Sequence, residues 1–87
     1  MLRCIMHWDD QGVLVVANAT TGLTVAYVGD PPDILFRAPT DWPIFQRRDG
    51  LTVALVPGLV PEDLPIDPGY RGWRKVALAD LGHWMAA

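Results

Sequence analysis

Cys4 and His7 stand three apart as a C-x-x-H pair, and thiolate and imidazole are two of the ligands zinc takes most readily. His83, Asp9 and Asp10 are the groups that would have to complete such a site. No second C-x-x-C or C-x-x-H half exists, and on a strand positions three apart point to opposite faces. The expectation is therefore no metal. The same two residues are the route to a Cys–His nucleophile, which needs an orienting carboxylate and surroundings that stabilise the thiolate. Neither a helix N-terminus nor a run of cations adjoins Cys4 in the sequence, so it is expected to be a small buried hydrophobe.

The remaining chemical inventory is thin. The chain has no serine, one glutamate (Glu62) and one lysine (Lys75). Asp9-Asp10 falls in a turn cluster with Gln11-Gly12, where aspartate is favoured for bonding the backbone alone. The glycines form neither G-x-G-x-x-G nor G-x-x-x-x-G-K, so no phosphate cradle is encoded. This composition predicts no catalytic residue, no enzyme activity and no cofactor.

Aromatic and basic residues are more plentiful. Tyr70-Arg71-Gly72-Trp73-Arg74-Lys75 is a dense basic-aromatic run, and Arg47-Arg48 follows Phe45 as a second basic pair. Four tryptophans (Trp8, Trp42, Trp73, Trp84) are more than a core of this size seats with every indole N–H satisfied, so at least one should be partly exposed. Trp42, between Asp41 and Pro43, is the first candidate and Trp84 the second. Tryptophan, tyrosine and arginine dominate binding hot spots. The expected protein-binding residues are accordingly Trp42, Phe45, Arg47, Arg48, Tyr70, Arg71, Trp73, Arg74 and Lys75.

Eighty-seven residues make one domain, and the 51% apolar fraction is enough for a core. The net charge of −3 argues against non-specific DNA binding, and the single cysteine suits a reducing compartment. No apolar run approaches the roughly 20 residues of a membrane helix, and the first residues lack a signal-peptide pattern. Cytoplasmic residence of an entire small gene product is the expectation. Six arginines against one lysine suggest GC-rich coding and a bacterial or phage source.

Alternation and turn residues predict the elements that would position these groups. Residues 2–8, 13–19 and 23–28 read as three strands of a meander, broken at Asp9–Gly12 and Thr20–Gly22. Ile34 to Arg37 is expected as a short fourth strand after Pro31-Pro32. Residues 40–50 could hold a helical turn through Trp42 and Phe45. The preferred alternative pairs Ile44–Arg48 with Leu51–Val56 across a two-residue Asp49-Gly50 turn. Residues 57–69 are proline-rich loop, with one helical turn near Glu62-Asp63-Leu64. Residues 70–87 place Trp73, Val76, Ala77, Leu81, Trp84 and Met85 at helical spacing, which predicts a C-terminal helix; a strand over 74–78 is the alternative.

The expected fold is α+β and mostly β. It is a twisted antiparallel sheet of about five strands, able to curl into an open small barrel, with the C-terminal helix closing one side. The expected core is Cys4, Met6, Val13, Val15, Ala17, Leu23, Val25, Tyr27, Leu35, Val53, Leu55, Val76, Leu81 and Trp84. The functional expectation is a non-catalytic protein that binds and modulates or inhibits a larger protein or protein complex. By analogy of size and composition, a mobile-element inhibitor of a host defence system such as a CRISPR effector has this profile. A small β-barrel that binds single-stranded nucleic acid is one alternative, and a self-assembling structural subunit is the other.

Overall fold

The structure, a computed structural model, describes residues 2–66 and 72–77. Its elements in chain order are β1 (Cys4–Trp8), β2 (Leu14–Asn18), β3 (Thr24–Gly29), α1 (Pro31–Arg37), β4 (Ile44–Gln46), β5 (Thr52–Leu55), a 3-10 turn (Pro61–Asp63) and β6 (Arg74–Val76). The strands form one antiparallel sheet in the order β1-β2-β3-β5-β4-β6. The sheet is open, with β1 and β6 at its two ends, so among the described residues no barrel closes.

Three tight hairpins build most of the sheet, and each loop ends in a glycine at positive φ. Asp9 N–H bonds Val13 O at 2.9 Å, which leaves Asp10-Gln11-Gly12 as a three-residue loop. Arg47 N–H bonds Leu51 O at 2.8 Å, which leaves Arg48-Asp49-Gly50 as another. Gly12 sits at φ 83° and Gly50 at φ 95°, the left-handed residue that a three-residue hairpin requires at its last position. The hairpin between β4 and β5 is as expected, but its loop is one residue longer. Gln46 therefore faces Thr52, and Ile44 faces Ala54.

Two expectations are overturned. Ile34–Arg37 belongs to α1, not to a strand. Pro31 and Pro32 occupy the first helical turn, where their missing N–H groups cost nothing, Asp33 lies in that turn and Arg37 in the last. The helix lies mid-chain, between β3 and β4. At the other end, Arg74–Val76 is strand β6, paired with β4 through Phe45↔Lys75 and Gln46↔Arg74. The predicted helix over 70–87 is thus replaced by strand where it is described; Tyr70, Arg71, Leu81, Trp84 and the rest of that segment lie outside the described residues.

Both faces of the sheet are covered. One carries Val16, Ala26, Val28, Val53 and Leu55 beneath Leu64, Leu59 and Ile66 of the loop that follows β5. The other carries Ala54 and Ile44 against Val13 and against Ile34 of α1, with Tyr27, Leu35 and Trp42 around them. The central strand β5 is buried at all four positions. Met6 and Leu23 were expected in the core but are exposed, Leu23 by 69%. Val15 and Ala17 are only half-buried, while Val16 is fully buried. Leu14 and Val16 face one cluster and Val13 the other, so β2 alternates through Val16; the register shift lies beyond it, where Val25 of β3 is passed over in the pairing. No helix among the described residues is long and apolar enough to cross a membrane.

Candidate functional site

The pairing of β4 with β6 assembles the basic-aromatic residues from two distant parts of the chain. Directly paired residues of an antiparallel ladder project to the same face. Phe45 and Lys75 therefore share one face, and two positions along it Arg47 comes opposite Trp73. The Arg47 guanidinium carbon lies 5.7 Å from the Trp73 ring centroid, within cation–π range. Trp73 is half-buried and packs against the core beneath it. Arg74, on the opposite face of the same strand, and Lys75 are exposed, as is Arg48 at the hairpin tip.

Arg47 is held from both sides. Its Nε donates to Asp49 Oδ1 at 3.0 Å, and its Nη2 donates to Asp49 Oδ2. The Asp49 carboxyl is lowered to about 2, chiefly by the Arg47 side-chain bond and next by the Leu51 N–H. The guanidinium is thus a fixed plate between a carboxylate and an indole, while Arg48, Arg74 and Lys75 extend into solvent.

The predicted site residues do not all converge. Trp42 stacks at 5.8 Å and 35° on Tyr27 and packs over the second core cluster, on the face away from Phe45, Arg47, Trp73 and Lys75. It is half-buried. The Tyr70 and Arg71 positions lie outside the described residues.

The metal and nucleophile pairs separate as strand geometry requires. Cys4 pairs with Asn18 and His7 with Val15, so the thiol and the imidazole project to opposite faces of β1. Burial pushes the Cys4 thiol up. Among the described residues no three His, Cys, Asp or Glu side chains gather as a metal site would require.

Sequence reasoning missed one polar cluster, at the loop between β1 and β2. Asp9 Oδ1 accepts the Gln11 and Val13 N–H groups at 2.8 and 2.9 Å. Its Oδ2 lies 2.7 Å from Arg37 Nη2, but off the hydrogen-bonding angle, so charge rather than a directed N–H holds that oxygen. Burial alone would raise the Asp9 carboxyl. The two backbone bonds, with Arg37 and His7 behind them, outweigh it and leave the group below its ordinary value. The cluster ties the first hairpin to the end of α1 and is structural. No signal in the sequence links residues 9 and 37, because α1 was not expected.

No family model, curated protein or solved structure matches this chain.

Proposed function

We propose that this chain is a non-catalytic protein that binds a larger protein through the β4–β6 end of its sheet and modulates it by occupying a surface. The observation that carries this reading is the fixed Arg47–Trp73 plate, with Phe45 and the exposed Lys75 on its own face, exposed Arg48 at the hairpin tip and exposed Arg74 on the other face of the same edge strand. An arginine immobilised on an indole loses little side-chain entropy on binding, which is how hot-spot residues gain affinity. The cations around it favour a partner whose surface is acidic and partly apolar. Inhibition of a host defence complex is the specific form of this reading that the size and composition of the chain favour.

The test is affinity purification with the intact chain, run beside a Lys75→Glu/Arg74→Glu variant and with nuclease treatment. A protein that co-purifies stoichiometrically, survives nuclease and is lost from the variant supports the reading. Equal retention by both chains overturns the site. Release by nuclease, with affinity that falls steeply as salt rises, replaces protein with single-stranded nucleic acid as the partner.

A further inference from the structure

β1 is the least protected element of the sheet. One of its five residues is half-buried and four are exposed. It carries Ile5, Met6 and Trp8 at 58, 42 and 69% exposure, with no proline and no charged side chain. The opposite end of the sheet is managed in the usual way, by a strand of three residues that carries Arg74 and Lys75.

The hydrogen-bond phase of β1 defines what its outer edge offers. Asp9 N–H bonds Val13 O, and Ala19 N–H bonds Arg3 O, so the odd-numbered residues of this segment face β2. The N–H and C=O groups of Cys4, Met6 and Trp8 therefore point outward, away from β2. Leu2 N–H points the same way and is taken by Asp63 O at 2.9 Å, so the open stretch begins at Cys4.

We propose that two copies of this chain pair β1 to β1, antiparallel, about a two-fold axis through Met6, with Cys4 opposite Trp8 and Ile5 opposite His7 of the second copy. This register alone lets all three outward-facing residues exchange both backbone bonds with outward-facing residues of the second copy. It sets Met6 against Met6 and Trp8 beside Cys4 as cross-strand neighbours on one face, which covers part of their exposed apolar surface. It also places Arg3 opposite the Asp9-Asp10 corner of the second copy, once at each end. Arg3 is exposed and has no carboxylate partner among the described residues; Asp9 and Asp10 stand 2.7 and 3.7 Å from Arg37 Nη2 of their own chain, and Asp10, 93% exposed, stays accessible to a second cation. An extended peptide from another protein would use the same backbone groups. Only a second β1 brings the reciprocal charges, because the strand is flanked by the cation on one side and the carboxylates on the other. The interface is small, so association is weak and concentration-dependent. It lies at the other end of the sheet from the proposed binding surface.

The test is sedimentation equilibrium of the full chain from about 5 to 500 µM, the range in which small interfaces associate. The mass should rise from 9.6 kDa toward twice that value. Met6→Pro removes an N–H that faces outward and none that bonds β2, so it should stay monomeric at every concentration with the circular dichroism of the parent. Arg3→Asp, which leaves the backbone edge intact, should weaken association about tenfold or more. With Cys4 replaced by alanine, Met6→Cys should oxidise to a linked dimer, and Leu23→Cys, more exposed but off the β1 edge, should not. A parent chain that stays monomeric throughout, or an Arg3→Asp variant that dimerises as the parent does, overturns the proposal. Lys75→Glu/Arg74→Glu should dimerise normally, which separates this outcome from the fate of the β4–β6 surface.

Discussion

Arg47 and Trp73 are 26 positions apart in the sequence, yet the guanidinium carbon of one stands 5.7 Å from the ring centroid of the other. The contact follows from register. Phe45↔Lys75 is a ladder pair, and continuing the ladder two residues outward brings 47 opposite 73 on the same face. The contact therefore fastens the short terminal strand β6 to the tip of the β4–β5 hairpin.

Removing this fastening should be measurable. Arg47→Ala should cost about 1 kcal/mol in denaturant unfolding, the cation–π contact supplying the larger part because Asp49 is well exposed. Arg47→Lys should recover only part of the loss, since an ammonium cannot reproduce the two-pronged bond to Asp49. Equal stability of the lysine variant and the parent would show that the plate geometry is immaterial.

Asp49 predicts how stability responds to acid. Its folded value, about 2, lies below the ordinary 3.8, so the folded state binds this proton less readily than the unfolded one. The resulting stabilisation is fully present above about pH 4 and is lost as pH falls through 2. Thermal unfolding of the parent should therefore steepen in its pH dependence across that window, and Asp49→Asn should remove that increment. Parallel pH profiles for the two proteins would dissociate the hairpin tip from acid stability.

The loop after β5 predicts a strong contrast between neighbours. Leu64 is 1% exposed and fills the core face above Val53 and Leu55, whereas Val60, four residues earlier, is exposed. Leu64→Ala should cost about 2–5 kcal/mol, because it removes buried methyl groups and leaves a cavity. Val60→Ala should stay within about 0.5 kcal/mol of the parent. Chemical denaturation of both variants decides whether the proline-rich segment is part of the folded unit.

The turn chemistry was the most legible part of this sequence. Gly12, Gly22 and Gly50 each end a hairpin loop at positive φ, and each was readable as a break between apolar runs. Asp9 and Asn18 open their loops, and Asp49 stands within the third, each accepting backbone N–H groups, which is local chemistry that needs no tertiary information. What failed were positions that tertiary pairing decides. Pro31-Pro32 stops a strand and starts a helix equally well, and the seven residues of α1 are too few to show a period. Trp73, Val76 and Ala77 match a helical stripe, yet β4 needed an outer neighbour and Arg74–Val76 supplied it. The assignment of Val15 rather than Val16 to the core failed because both faces of β2 are apolar, and only the packing of Leu59, Leu64 and Ile66 decides that the Val16 face is the better covered one. The grouping of Arg47 with Trp73 was suggested by residue type, but their contact depends on a strand pairing the sequence does not display.

The polar pair inside the β4–β5 hairpin gives the sharpest test of side-chain energetics. Gln46 and Thr52 face each other in register and are both buried. Gln46 Nε2 donates to Thr52 Oγ1 at 3.1 Å and to Gly50 O at 3.4 Å, while Thr52 Oγ1 donates to the same carbonyl at 3.0 Å. Thr52→Val keeps the shape but withdraws the better acceptor, leaving the buried amide with only its long bond. That should cost about 1–3 kcal/mol, the range for a buried polar group left unpaired. Gln46→Leu removes the amide itself, so the two substitutions together should cost less than the sum of each alone, with a coupling of about 1 kcal/mol in a double-mutant cycle. Strict additivity would mean that the amide finds water when the hydroxyl is gone, and that this end of the hairpin is open to solvent.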